Sequence, residues 1–330
     1  MRISILGAGS WGSALAIAMS KVAVVQLWSR NSQQVDLINT TRSNPNYLPA
    51  EIRFPDSCSA SSKLSECLAA DLIIVATPLN AVRGLLEQIG AITPHLPDML
   101  LVSKGFEASS GNLPHQIVNE VLPGFARFGV LIGPSFAKEV ALGLPTAITL
   151  AAADLNFALG WIGRLQQIPN FRIYAHDDVI GAEVGAAIKN VLAIAVGISD
   201  GLQLGYNARA ALITRSLNEL ASLVLALGGK RETIYGLTGV GDLILTCTGD
   251  LSRNRQVGQE LAKKRAITEI ITSLGHVAEG VSTAREIQQI ANRLGIDMPI
   301  VTAVYRIIYE NAEIKSEVFK LLNRQPKAEF

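Results

Sequence analysis

The chain opens with Arg2-Ile3-Ser4-Ile5-Leu6, which runs directly into Gly7-Ala8-Gly9-Ser10-Trp11-Gly12 and then into the apolar stretch Ala14 to Met19. A β-branched run, a glycine-rich turn and an apolar helix in this order form the entry to a parallel βαβ unit. Gly7, Gly9 and Gly12 let the backbone N–H groups and the helix N-terminus approach a pyrophosphate. A G-x-G-x-x-G string alone is weak evidence, but between a strand and a helix it predicts a dinucleotide site. A merely tight turn is the competing reading. The same glycines argue against a secretory signal, which Arg2 and the small residues Ala14, Ala16 and Ala18 otherwise imitate, because they would break the apolar helix such a signal needs.

Short apolar runs recur through the first half: Val22 to Trp28, Leu72 to Ala76, Met99 to Val102, Val130 to Ile132 and Ala147 to Leu150. They are apolar throughout rather than alternating, which suits strands covered on both faces of a parallel sheet. Past about residue 178 the period changes to helical, in Val179 to Ile198, Asn207 to Leu227, Arg253 to Lys263, Val281 to Leu294 and Pro299 to Tyr309. The expected class is therefore α/β: a Rossmann-type, mostly parallel sheet over residues 1–178 and an all-helical substrate-binding domain over 179–330. A length of 330 residues accommodates two such domains of roughly 150 each.

Composition narrows the function. Lys plus Arg number 29 and Asp plus Glu 28, a net charge of +1. No global field therefore draws nucleic acid or an anionic membrane, and any anion site must be local. Aromatics form no stripe on which bases could stack. Cys58, Cys67 and Cys247 are odd in number and lack ligand spacing, so they read as buried thiols in a reducing compartment, and no metal site is expected. Outside the glycine-interrupted N-terminal stretch, no charge-free run approaches the ~18 residues of a membrane span. A cytoplasmic location follows as the expectation.

Chemistry is sought where strands end, because the carboxyl ends of parallel strands border the ligand crevice. The second strand ends Trp28-Ser29-Arg30-Asn31, with no acid to take ribose hydroxyls. Arg30 there suits a 2′-phosphate and hence NADP, with a solvated surface Arg as the alternative. Ser103-Lys104-Gly105 and Gly133-Pro134-Ser135-Phe136-Ala137-Lys138 follow the fourth and fifth apolar runs, making Lys104 and Ser135 site candidates against ordinary loop chemistry. Lys138 and Glu139 read as a solvated helix start.

Lys189 lies within Ile180 to Ala193, a helix of almost wholly small and apolar residues. Burying a Lys there needs a partner or a task, and burial beside a second cation lowers its pKa toward the range of a general acid/base. A snorkelling structural Lys is the alternative. Further on, Gly239 to Thr248 is followed by Ser252-Arg253-Asn254-Arg255. Ser252 as N-cap would aim free backbone N–H groups, with Arg253 and Asn254, at a phosphate. Capping above a solvated basic face competes with that reading. His95, His115, His176 and His276 have no telling neighbours in sequence and read as structural or surface residues.

Together these residues closely resemble the bacterial NAD(P)-dependent glycerol-3-phosphate dehydrogenases. The resemblance runs through Gly7 to Gly12, Ser103-Lys104-Gly105, Gly133 to Glu139, Ala187-Ile188-Lys189-Asn190-Val191, Asn207 to Arg215, Gly241-Asp242-Leu243 and Ser252 to Arg255. It implies reversible reduction of dihydroxyacetone phosphate to sn-glycerol 3-phosphate for phospholipid synthesis, with NADPH preferred and NAD possible, and a possible homodimer. It implies cofactor contacts at Ser10, Trp11, Arg30, Lys104, Ala137, Arg253, Val277 and Glu279. Implied substrate contacts are Lys104, Gly133, Ser135, Lys189, Asp242, Ser252, Arg253 and Asn254. Lys189 matches the proton donor and acceptor; Lys104 would polarise the substrate oxygen and Asp242 orient Lys189. Two departures stand out. The turn Met19 to Val24 is one residue short, leaving the start of the next strand open, and Ser216 replaces a common Gly, which should be tolerated. The rivals are a β-hydroxyacid-type Rossmann dehydrogenase, which would lack the phosphate cradle, and a dinucleotide sensor, which would need no buried Lys189.

Overall fold

The structure, a computed structural model, describes residues 1–274 and 278–325. Val277 and His276, both read from the sequence above, lie outside the described residues. Eight strands form one sheet: β1 (Arg2–Leu6), β2 (Val24–Trp28), β3 (Cys58–Ser61), β4 (Leu72–Val75), β5 (Asp98–Leu101), β6 (Phe128–Ile132), β7 (Thr146–Ala151) and β8 (Phe171–His176). Their order is β3-β2-β1-β4-β5-β6-β7-β8. The first six are parallel, and β7 and β8 run together against them, since β6 and β7 pair antiparallel. The sheet is thus mostly parallel, with helices on both faces, as expected for buried apolar strands.

Two strands escape the apolar-run criterion. β3 is Cys58-Ser59-Ala60-Ser61 at one edge, too polar and short to register, and β8 is an alternating edge strand whose Arg172 and Tyr174 face solvent. Edge strands need not be apolar on both faces, so the rule that finds central strands passes over them. In the short turn after Met19, Ser20 closes the Ser10–Met19 helix and β2 begins at Val24, two residues later than its apolar run suggests.

The second half is helical among the described residues. Its axis is the Val179–Gly201 helix, capped by the Asp178 carboxylate, which accepts from the Gly181 N–H at 2.8 Å. It is long and apolar enough to cross a membrane by composition, yet it forms the core of this half, with the Gly205–Ala226, Arg253–Ala262, Glu279–Leu294 and Pro299–Tyr309 helices packed around it. Its small residues permit backbone contact. A Cβ on Gly197 would stand 2.0 Å from the Arg255 carbonyl oxygen, and one on Gly258 would stand 2.1 Å from that of Ile194. The Arg253–Ala262 helix therefore lies directly on the central one, held at a distance that only these glycines allow.

Candidate active site

Gly7 ends β1 with φ +128°, and a Cβ there would meet the Ala76 carbonyl oxygen at 2.6 Å, at the end of neighbouring β4. The strand order reverses between β1 and β4, so this is the switch point at which open α/β sheets bind ligands. Gly12 is equally constrained, since its Cβ would collide with the Gly7 oxygen. Gly9 is different: nothing lies within 4 Å of where its Cβ would be. It also precedes the Ser10–Met19 helix without any side-chain cap, so the first-turn N–H groups around Ser10 and Trp11 face open space. Beside Gly7, the buried Thr77 hydroxyl has no hydrogen-bond partner. Tight backbone, open cradle, uncapped helix and orphaned hydroxyl fit a bound dinucleotide diphosphate. The loop is braced from behind, where the Ala8 carbonyl accepts from Gln34 Nε2 at 2.8 Å and from Asn44 Nδ2 at 3.0 Å.

Arg30 lies two residues beyond the end of β2, exposed and with no charged partner among the described residues. The neighbouring Ser29 hydroxyl donates to Gln34 Oε1 at 2.6 Å.

Lys104 and Gly133 reach the centre of the molecule from the ends of β5 and β6. Ser103 anchors the first loop by donating to the Thr77 carbonyl at 2.7 Å, and Gly105, at φ +113°, turns it toward Thr283 of the Glu279–Leu294 helix. Gly133, at φ +154°, lies so close to Ile148 of β7 that a Cβ would be 2.9 Å from its Cα. The Ser135 hydroxyl donates back to the Gly133 carbonyl at 2.9 Å, and Ala137 starts a short helix. Phe136 packs on Gly249 and Pro134 on Gly241, which seats this loop beside Asp242.

Asp242 joins the two halves. It follows a widened helical turn, Leu237–Gly241, in which the Gly241 N–H donates five residues back to the Gly236 carbonyl at 3.2 Å. Its side chain is 1% exposed. One oxygen lies 2.5 Å from Lys189 Nζ, and the other, without a hydrogen-bond partner, lies 3.7 Å from Lys104 Nζ. Two cations thus share one buried carboxylate. Burial pushes the Lys189 pKa down to about 8; Asp242 opposes the fall and Lys104 adds to it. A group that is mostly charged at neutral pH but can release its proton is suited to general acid/base work.

The Arg253–Ala262 helix begins next to this centre. The Ser252 hydroxyl accepts from the Arg255 N–H at 3.3 Å, so the expected cap is present. Arg253 is exposed and has no carboxylate partner among the described residues. Asn254 is less free than a phosphate ligand read from sequence would be. Its Nδ2 donates to Asn190 Oδ1 at 3.0 Å and its Oδ1 accepts from the Gly280 N–H at 3.0 Å, leaving one Nδ2 hydrogen and the backbone N–H for an anion. Asn190 donates in turn to Glu279 at 3.4 Å.

The first half matches the family model for the N-terminus of NAD-dependent glycerol-3-phosphate dehydrogenase over residues 2–158, and the second half matches the C-terminal model over 178–319. The chain belongs to this family. The "Glycerol-3-phosphate dehydrogenase [NAD(P)+]" of Aromatoleum aromaticum is 51% identical over 331 residues, covering 100% of both chains. That of Nitrosomonas europaea is also 51% identical, over 330 residues, covering 100% of this chain and 99% of its own. The crystal structure of the Coxiella burnetii glycerol-3-phosphate dehydrogenase superposes with a TM-score of 0.93 at 40% identity, covering 98% of this chain and 99% of that one.

Sequence reasoning missed several residues that shape this site. Asn44 and Gln34 brace the glycine loop from about thirty residues away, and no local pattern marks them. Asn190 lay within a quoted motif but gained its role only through Asn254 and Glu279. His115 has a partner after all: its Nδ1 lies 2.5 Å from the carboxylate of buried Glu183, and its N–H donates to the same group at 2.9 Å. The pair ties the Pro114–Val121 helix to the central helix and supports a structural role.

Proposed function

We propose that this chain reduces dihydroxyacetone phosphate reversibly to sn-glycerol 3-phosphate, preferring NADPH and accepting NADH, and so supplies glycerophospholipid synthesis. The observation that carries the reading is the buried Lys189–Asp242–Lys104 cluster between an open dinucleotide cradle and an anion-directed helix start.

The nicotinamide, when bound, supplies the hydride to the carbonyl carbon. Lys189 then gives the proton that the carbonyl oxygen requires, and a pKa of about 8 keeps it charged at neutral pH while leaving it able to let go. Asp242 fixes the direction of the Lys189 ammonium. Lys104, held 3.7 Å from the same carboxylate, keeps its charge where negative charge grows on the substrate oxygen. In the reverse direction neutral Lys189 takes the hydroxyl proton. Ser252, Arg253 and Asn254 hold the phosphate, with Gly133 and Ser135 lining the opposite side. Gly7 to Gly12, Ala137 and Glu279 border the cofactor, and Arg30 takes the 2′-phosphate.

The same reading divides the chain near residue 178 into a dinucleotide-binding domain and a helical substrate-binding domain. It includes a cytoplasmic location, supported by three free thiols whose burial pushes them up to about 11 for Cys58 and about 12 for Cys67 and Cys247. A homodimer, implied by the family resemblance, is checked by sedimentation. The deciding experiment follows NADPH absorbance with dihydroxyacetone phosphate and with dihydroxyacetone. Rapid turnover of the first and little of the second is expected, and equal rates would refute both the phosphate site and the reaction.

A further inference from the structure

Two arginines stand two residues apart at the start of the Arg253–Ala262 helix, and the structure gives them different surroundings. Arg253 is exposed and has no carboxylate partner among the described residues, whereas the Arg255 side chain is 10% exposed. A cation in the first turn of a helix is opposed by the helix dipole, so its burial there needs compensation. Asp200 provides it: Arg255 Nε donates to one Asp200 oxygen at 2.7 Å, and Arg209 Nε donates to the other at 2.6 Å. Arg255 Nη1 also donates to Asp250, which is 98% exposed, at 3.0 Å. The Asp200 side chain is only 6% exposed.

Asp200 and Lys189 belong to the same rigid helix, eleven residues and so about 16 Å apart along its axis. Arg255 is also the residue whose backbone N–H is capped by Ser252 and whose carbonyl rests on Gly197. One residue therefore links the central helix, the cap and the turn. We infer that Asp200, acting through Arg255, is a positioning residue that fixes the register of Ser252, Arg253 and Asn254 against Lys189, and with it the distance from phosphate to carbonyl that the site accepts. Neither Asp200 nor Arg255 touches the substrate; their guanidinium and carboxylate groups are already matched to each other.

This rests on the proposal that the 252–254 turn holds the substrate phosphate. The test uses the full chain with Asp200→Asn, Arg255→Gln, the double variant and Arg253→Ala, each assayed with NADPH on dihydroxyacetone phosphate and on dihydroxyacetone. For Asp200→Asn and Arg255→Gln, KM for the phosphorylated ketone should rise about tenfold, as expected when a charge-assisted contact is misplaced, with a smaller change in kcat. At saturating NADPH, kcat/KM for dihydroxyacetone should hold within about twofold, because the unphosphorylated ketone does not engage the turn; KM for NADPH is measured separately, since Arg253 is also an implied cofactor contact. The double variant should be no worse than Arg255→Gln alone, since the effect of Asp200 passes through Arg255. A proportional loss on both ketones, an unchanged preference, or failure of both single variants to fold would overturn the inference, each making the pair a scaffold contact only. If Arg253→Ala also leaves the preference unchanged, the phosphate reading itself falls. If Arg253→Ala abolishes the preference while Asp200→Asn does not, only the positioning role falls.

Discussion

Replacing Lys189 with Met keeps the apolar stem and removes the proton. A general acid typically contributes about 10²- to 10⁴-fold, or roughly 3 to 5 kcal/mol of barrier, so kcat for dihydroxyacetone phosphate reduction should fall by that range. The sequence alone suggests that such a change spares the fold, but the geometry says otherwise. Lys189 is the 2.5 Å partner of a carboxylate 1% exposed, and its loss leaves Asp242 with Lys104 at 3.7 Å as its one charged partner among the described residues, beside the Thr246 hydroxyl at 3.5 Å. Breaking a buried pair costs about 3 to 5 kcal/mol, and the remaining Lys104 places this case toward the lower end. Lys189→Met should therefore be less stable to urea, while Lys189→Met with Asp242→Asn should recover most of that stability and none of the activity. In the wild type the acid must be charged for reduction and neutral for oxidation. With its pKa at about 8, kcat/KM for reduction should be level below pH 7 and fall as pH rises, reaching about a tenth by pH 9. Oxidation of glycerol 3-phosphate should rise over the same interval. NADPH absorbance across pH 6–10, with denaturant titrations of the three proteins, provides the measurements. Retention of more than about a tenth of kcat in Lys189→Met, or reduction unchanged between pH 7 and 9, would refute the assignment.

Arg30→Ala should lower the NADPH-over-NADH ratio of kcat/KM by about 10- to 150-fold, the worth of a charge-assisted contact to a 2′-phosphate; an unchanged ratio would make Arg30 a surface residue only. Arg253→Ala should lower kcat/KM for dihydroxyacetone phosphate at least about tenfold, with part of the loss in kcat because the phosphate's binding energy orients a remote carbonyl; NADPH affinity is measured separately by fluorescence titration. Ser216 is fully buried and its hydroxyl has no partner, so Ser216→Ala should stabilise the protein by about 1 kcal/mol in urea unfolding, with kinetics unchanged.

Local order along the chain was sufficient for the fold class and for the cradle. A strand, three glycines and a helix can be read within the first nineteen residues, because backbone conformation and helix start are short-range properties. The central strands were likewise legible through their unbroken apolar runs, and the long helices through their period. β3 and β8 were not, since an edge strand is defined by its neighbour's hydrogen bonds and not by its own burial. Lys189 could be singled out from sequence as a cation among small apolar residues. Its partner could not be derived, because Asp242 lies fifty-three residues away and reaches it only through the packing of two helices. The same limit separates Arg253 from Arg255: two residues apart in one motif and identical in chemistry, they are distinguished by Asp200, which the crossing of the helices at Gly197 and Gly258 brings within 2.7 Å of one of them. Sequence set which groups were costly to bury, while tertiary packing decided which carboxylate would compensate each, because Coulomb and hydrogen-bond energies depend on distances through space that span most of the chain.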